Sequence, residues 1–104
     1  MVKKVLPYFV ARSPIHGRGI FANRDLRKNE DVGLGIAFNL GLFPYVTERP
    51  GSLINHSYHP NTYLHWQDDG WHIHTRYAVP RGKELTVDYN NTPWYIQGPL
   101  PHYV

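Results

Sequence analysis

A chain of 104 residues is one domain, 1–104, and at this size roughly two thirds of the unfolded surface is buried, so the core is small. It contains no cysteine, which excludes a disulfide framework and a thiolate zinc site. The net charge of +3 is spread along the chain, and no stripe of Lys and Arg interleaved with aromatics indicates direct nucleic-acid binding.

The opening stretch Met1-Val2-Lys3-Lys4-Val5-Leu6-Pro7 is too short and too soon broken by proline for a signal peptide, and no apolar run approaches bilayer length, so no membrane association and a soluble intracellular setting are expected. Nine glycines and nine prolines cut the chain into short pieces without sustained helical periodicity, which predicts a mostly β fold of brief strands. His16-Gly17-Arg18-Gly19 reads as a tight turn between Pro14 and a strand starting at Ile20, with glycines that let backbone pass close to a ligand. Leu26–Val32 and Val79–Leu85 echo each other, each a basic turn followed by an acid and a new strand. Gly82 suits a left-handed turn position, and Asn29 is one of the few other residues that tolerate one.

From Gly33 to Ser52 an apolar stretch reads as a strand followed by a loop through Pro44 and Pro50. Ile54-Asn55-His56-Ser57-Tyr58-His59-Pro60-Asn61 then packs two amides, two imidazoles and a proline behind an apolar residue, a cluster that a core could hold only if many donors and acceptors were satisfied. Tyr63–Trp66 and Trp71–Tyr77 flank Asp68-Asp69-Gly70 as a hairpin with a D-G tip. Its second arm places Trp71, Ile73, Thr75 and Tyr77 on one face and His72, His74 and Arg76 on the other.

In their order, His16-Gly17-Arg18-Gly19-Ile20-Phe21-Ala22, Ile54-Asn55-His56-Ser57-Tyr58-His59-Pro60-Asn61 and Gly82-Lys83-Glu84-Leu85-Thr86-Val87-Asp88-Tyr89 resemble the three marks of the SET-domain family of protein lysine methyltransferases: a G-x-G start, an N-H-S-x-x-P-N centre and an E-[IL]-T-x-x-Y close. The resemblance runs from about residue 12 to residue 95. It implies a minimal SET domain, β-clip-like short sheets with a C-terminal pseudoknot, and S-adenosylmethionine-dependent methylation of a lysine in a protein or peptide, such as a histone or other basic tail. By the same resemblance His16, Gly17, Arg18 and Gly19 contact the cofactor, Asn55 and His56 grip its amino-acid end and adenine edge, Trp94 covers the adenine, and Tyr89 is the catalytic residue that orients the amine.

The chain departs from the family pattern at three points: Asn29 stands where a glycine is common, Leu53 where many relatives carry a basic or aromatic residue, and Val87 where an aromatic often narrows the lysine channel. The interval Gly33–Ser52 hardly has room for the insert that usually walls the peptide groove, so either the groove is open or a second copy completes it. A homodimer is expected, with Phe43, Tyr45 and Tyr58 near the interface. Asp68, Asp69 and Asp88 are the acidic candidates for a basic substrate. Two rivals remain: a catalytically inactive SET-like interaction module, and a small metal-binding β protein using His72 and His74, with His59 and His65 completing the set. The second lacks a well-placed glutamate, Glu84 being only loosely available, so no metal is assigned, and a solvent-facing strand surface is the plainer account of the two imidazoles.

Overall fold

In the computed structural model, which describes residues 5–91, eight strands form two four-stranded sheets. In chain order they are β1 (Tyr8–Arg12), β2 (Arg18–Ala22), β3 (Asp31–Asn39), β4 (Phe43–Val46), β5 (Asn55–His56), β6 (Thr62–Gln67), β7 (Gly70–Thr75) and β8 (Glu84–Val87). The first sheet runs β1-β2-β8-β5 and the second β4-β3-β7-β6. Among the described residues helix is confined to single 3-10 turns at Gly51–Leu53 and Tyr89–Asn91, as expected for a chain so often interrupted by glycine and proline.

β8 is central to the first sheet: it pairs antiparallel with β2 through Ile20↔Leu85 and parallel with the two-residue β5 through Asn55↔Thr86 and His56↔Val87. A parallel neighbour needs a long crossover, and here the crossover is the whole β6–β7 hairpin with the turn that follows. The pseudoknot expected of the C-terminal segment involves residues beyond Asn91, outside the described residues.

The echo between the two basic turns is structural. Leu26 and Val79 exchange both backbone hydrogen bonds, at 2.8 and 2.9 Å. On one side of this bridge the Gly82 N–H donates to the Ala22 carbonyl (2.8 Å) and the Ala22 N–H to that of Lys83 (2.9 Å). On the other, the Asn29 N–H donates to Thr75 (2.9 Å) and the Thr75 N–H to Glu30 (3.0 Å). Asn29 and Gly82 occupy the left-handed positions, at φ 61° and 86°. The equivalence extends into the core, where Ile20 matches Ile73, Ala22 matches Thr75, Leu26 matches Val79 and Val32 matches Leu85, all of them buried. Two copies of one strand-turn-strand pattern thus share one hydrophobic centre, which lets so short a chain bury residues from both sheets together.

Three expectations need correction. Pro44 lies in an edge strand rather than a loop: β4 pairs with β3 through Phe38↔Pro44, and the missing N–H is tolerated because an edge strand has no second neighbour to receive it. The hairpin tip is Asp68-Asp69 alone, since Gln67 pairs with Gly70; Gly70 belongs to β7, where a Cβ would meet the Ile36 carbonyl oxygen at 2.2 Å. Tyr77 does not continue the buried face, because β7 ends at Thr75 and Tyr77 is exposed.

Candidate active site

The side-chain amide of Asn55 ties the first sheet together. It is buried, and its Nδ2 lies 3.1 Å from the His16 carbonyl, 3.2 Å from the Arg18 carbonyl and 3.0 Å from Glu84 Oε2. Three acceptors around Nδ2 fix the amide's orientation, because the flipped form would turn an oxygen toward all of them. Oδ1 therefore faces away from the loop and receives no hydrogen bond among the described residues. Ser13 Oγ lies 2.9 and 2.8 Å from the two oxygens of Glu84 and accepts from the Ile15 N–H at 3.0 Å, so Ser13 and Glu84 anchor the turn that Asn55 holds.

The two glycines of the turn have different reasons. At Gly19 a Cβ would stand 2.4 Å from Glu84 Oε2 and 3.0 Å from Asn55 Nδ2; glycine is needed for the brace to reach the backbone. Gly17 has φ +47° and nothing within 4 Å of its missing side chain, so it offers an open approach. The carbonyls of His16 and Arg18 turn inward to Asn55, and that of Gly17 accepts from the Ser13 N–H at 2.8 Å. The Arg18 side chain is exposed.

Tyr89, half-buried against the core, is held at both ends by the segment containing Asn55. Its hydroxyl donates to the Ile54 carbonyl at 2.6 Å and its N–H to His56 Nδ1 at 3.0 Å. Because the phenol proton is committed to Ile54, the oxygen can act toward any further group only as an acceptor. His56 is fully buried, with its ring edge-on to Tyr58 at 4.4 Å between centroids and tilted against Tyr89 at 5.2 Å. Its Nε2 has no hydrogen-bond partner among the described residues. Asp88 Oδ1 is 3.7 Å from His56 Nδ1 and accepts from the Asn90 N–H at 2.9 Å.

The structure therefore brings His16, Gly17, Arg18, Gly19 and Asn55 together at one end of β5, and His56 and Tyr89 at its other face. Trp94 lies outside the described residues. Of the departures from the family pattern, Leu53 packs against the core and Val87 is buried in it. Sequence reasoning missed Ser13 and assigned Glu84 no part in this site. Glu84 stands at the start of E-L-T-V-D-Y and could have been found by asking what a strand-opening acid pairs with, whereas no local signal marks Ser13.

Two cavities flank β8. One of about 460 Å³ is lined by Thr62, Leu64, Val87 and Asp88 among others, and one of about 410 Å³ by Ile15, Ser57, Asn61 and Glu84 among others. Apart from these, the imidazoles of β7 form a polar cluster. His72 is bound at both ring nitrogens, Nδ1 at 2.9 Å from Asp31 and Nε2 at 2.7 Å from Asp69. Burial works against its charge, but the hydrogen bonds to Asp69 and Asp31 overcome it and raise its pKa above the ordinary histidine value. His74 is displaced the other way, first by burial and then by the neighbouring His65 and His72, against the attraction of Asp31. Both side chains are only 13% exposed, so this is a clamped strand face and not the solvent-facing one expected. Among the described residues no group of three or more His, Asp or Glu could hold a metal ion.

Compared with known proteins, the chain matches the family model described as SET domain over residues 35–90. It is similar in structure to a Plasmodium falciparum protein provisionally named a histone methyltransferase, with a TM-score of 0.66 at 17% identity, covering 89% of this chain and 100% of that one. At that identity the likeness is one of fold. No curated protein matches the sequence.

Proposed function

This chain belongs to the SET-domain family, and from that premise we propose that it transfers a methyl group from S-adenosylmethionine to a lysine amine of a protein or peptide. When bound, the sulfonium supplies an activated methyl group, so the protein's task is positioning and exclusion of water more than proton transfer. The observation that carries the reading is the state of Tyr89: a hydroxyl with its proton given to the Ile54 carbonyl can only accept, which suits it to orient an amine N–H. Asn55 fits the cofactor in a similar way. With Nδ2 spent on His16, Arg18 and Glu84, Oδ1 is left to accept from an ammonium, and the open side of Gly17 leaves room for a ligand's backbone-like end. His16, Arg18, Gly19 and the backbone of His56 complete the proposed cofactor site, together with Trp94.

The lysine must arrive without its proton, and a desolvating approach lowers an amine pKa in the required direction. The cavity of about 460 Å³ beside Val87 and Asp88 lies along the strand end that leads into Tyr89, and its lining carries one acid, Asp88, and one base, Arg76, so Asp88 is the group proposed to meet a basic substrate segment such as a histone tail. A second copy of the chain is the proposed partner for the edge strand β4 and the turn before it. Leu40, Leu42, Phe43, Tyr45 and Val46 are exposed there, no charged residue occurs from Asn39 to Thr47, and two such uncharged edges meet without repulsion.

Calorimetric titration with S-adenosylhomocysteine, followed by transfer of labelled methyl groups to a histone mixture, tests the reading. Saturable binding with label in a protein acceptor is expected. Binding without turnover on any acceptor favours the inactive interaction module, and no binding at all removes the methyltransferase.

A further inference from the structure

We infer that the His56 side chain is a positioning residue for Tyr89, acting as a fixed hydrogen-bond acceptor that sets the tyrosine's backbone while the Ile54 carbonyl sets its hydroxyl. The inference rests on the methyltransferase reading and assigns the imidazole a task distinct from any backbone contact to cofactor.

The chemistry of the ring leads to this. An N–H from Tyr89 points at Nδ1 from 3.0 Å, so Nδ1 must carry a lone pair, and the proton of the neutral ring must sit on Nε2. That Nε2–H is fully buried and has no partner among the described residues. Burying an unmatched donor is unfavourable, and a leucine would fill the same space without that penalty. What leucine cannot do is accept from Tyr89. Main-chain pairing leaves the ring no freedom to drift, because β5 is locked to β8 by the His56↔Val87 pairing and by the Ser57 N–H to the Val87 carbonyl at 3.0 Å, while the rings of Tyr58 and Tyr89 bracket it.

Tyr89 opens the single 3-10 turn that follows β8. Its N–H falls where the β8 ladder has ended and β5 supplies no further main-chain acceptor, so the side chain of the last β5 residue takes over the ladder's role. Tyr89 is thereby held by two bonds from residues two apart, one at its backbone and one at the far end of its side chain. A ring fixed at both ends cannot pivot, and that is the condition for an oxygen that must aim an amine along one line.

The test uses the full-length protein with two variants, His56→Leu, which fills the space but cannot accept, and His56→Asn, whose side-chain oxygen can take the place of Nδ1. Ring nitrogen shifts in the wild type are expected to report the neutral form protonated on Nε2. The Tyr89 amide is expected to exchange about tenfold or more faster in His56→Leu while Leu85 and Val87 amides hold their protection, with His56→Asn restoring most of it. With an accepting substrate, kcat falls about tenfold or more in His56→Leu and recovers in His56→Asn, at little change in S-adenosylhomocysteine affinity. A proton on Nδ1, or Leu and Asn variants equal in Tyr89 exchange and in kcat, overturns the inference. Should either variant fail to fold, the wild-type tautomer alone decides against or for the acceptor role. A wild type that does not bind S-adenosylhomocysteine instead counts against the methyltransferase reading, and the tautomer and exchange measurements still report on the clamp.

Discussion

Replacing Asn55 separates a brace from a ligand contact. Nδ2 carries two hydrogens, shared among the His16 carbonyl, the Arg18 carbonyl and Glu84 Oε2, so Asn55→Ala removes about one neutral hydrogen bond and one to a charged acceptor. At about 1 kcal/mol for the first and about 1.5–3 kcal/mol for the second, the expected loss is about 2.5–4 kcal/mol, a large share of the stability of a domain this small. Asn55→Asp is nearly isosteric but should be worse than alanine, because it puts a second carboxylate oxygen about where Nδ2 stood, 3.0 Å from Glu84 Oε2 and between two carbonyls. Urea unfolding gives both values from the shift in midpoint at constant slope. S-adenosylhomocysteine titration under conditions where Asn55→Ala remains folded then reads the contribution of Oδ1, whose loss should weaken binding. An alanine variant within about 1 kcal/mol of wild type, or an aspartate variant more stable than alanine, would refute the brace; normal binding by a folded Asn55→Ala would remove this residue from the cofactor site.

Other outcomes follow from the same geometry. Tyr89→Phe should lower kcat by about a hundredfold with S-adenosylhomocysteine affinity nearly unchanged, while losing about 1 kcal/mol of stability with the bond to Ile54; full turnover in the folded variant would contradict the role of the hydroxyl. Gly82→Ala should cost about 1 kcal/mol in urea unfolding, since φ is +86° and nothing stands within 4 Å of the new methyl, leaving backbone strain as the whole effect. His72→Gln should destabilise the fold at about pH 5.5 and matter less at about pH 8.5: a histidine whose folded pKa is raised contributes stability that is complete below its unfolded pKa and lost as pH rises through the folded one, so paired thermal melts with no pH-dependent difference would oppose the Asp31–His72–Asp69 clamp. Light scattering should find a dimer that Phe43→Asp disrupts, and a strict monomer at high micromolar concentration would remove the second copy from the proposal.

Much of the fold could be read from the chain because its signals are local. The Asp68-Asp69 turn between aromatic arms, the left-handed positions at Asn29 and Gly82, and the three motifs in their order each need only a few neighbouring residues to be recognised. The tie between Ser13 and Glu84 does not, since it joins the two ends of the domain and is written in no periodicity. Pro44 misled for a related reason: proline breaks a central strand, and only the sheet order reveals that β4 is an edge. His72 and His74 looked exposed because alternation separates the faces of a strand but does not say that Asp31 and Asp69 close over one of them.

Of the candidate site, the motifs identify the residues but not how the work is divided among them. Asn55 and His56 are adjacent, and alternation along a strand sends their side chains to opposite faces of β5. One side chain therefore reaches the 16–18 loop while the other reaches Tyr89, and the carbonyl just before them takes the tyrosine's proton. With β5 only two residues long, any shift of this strand moves the proposed cofactor contacts and the proposed catalytic oxygen together. Neither could be adjusted alone. An Asn-His pair preceded by a residue free to offer its carbonyl is the shortest sequence that can connect both, which is a physical reason for these residue types to stand side by side here.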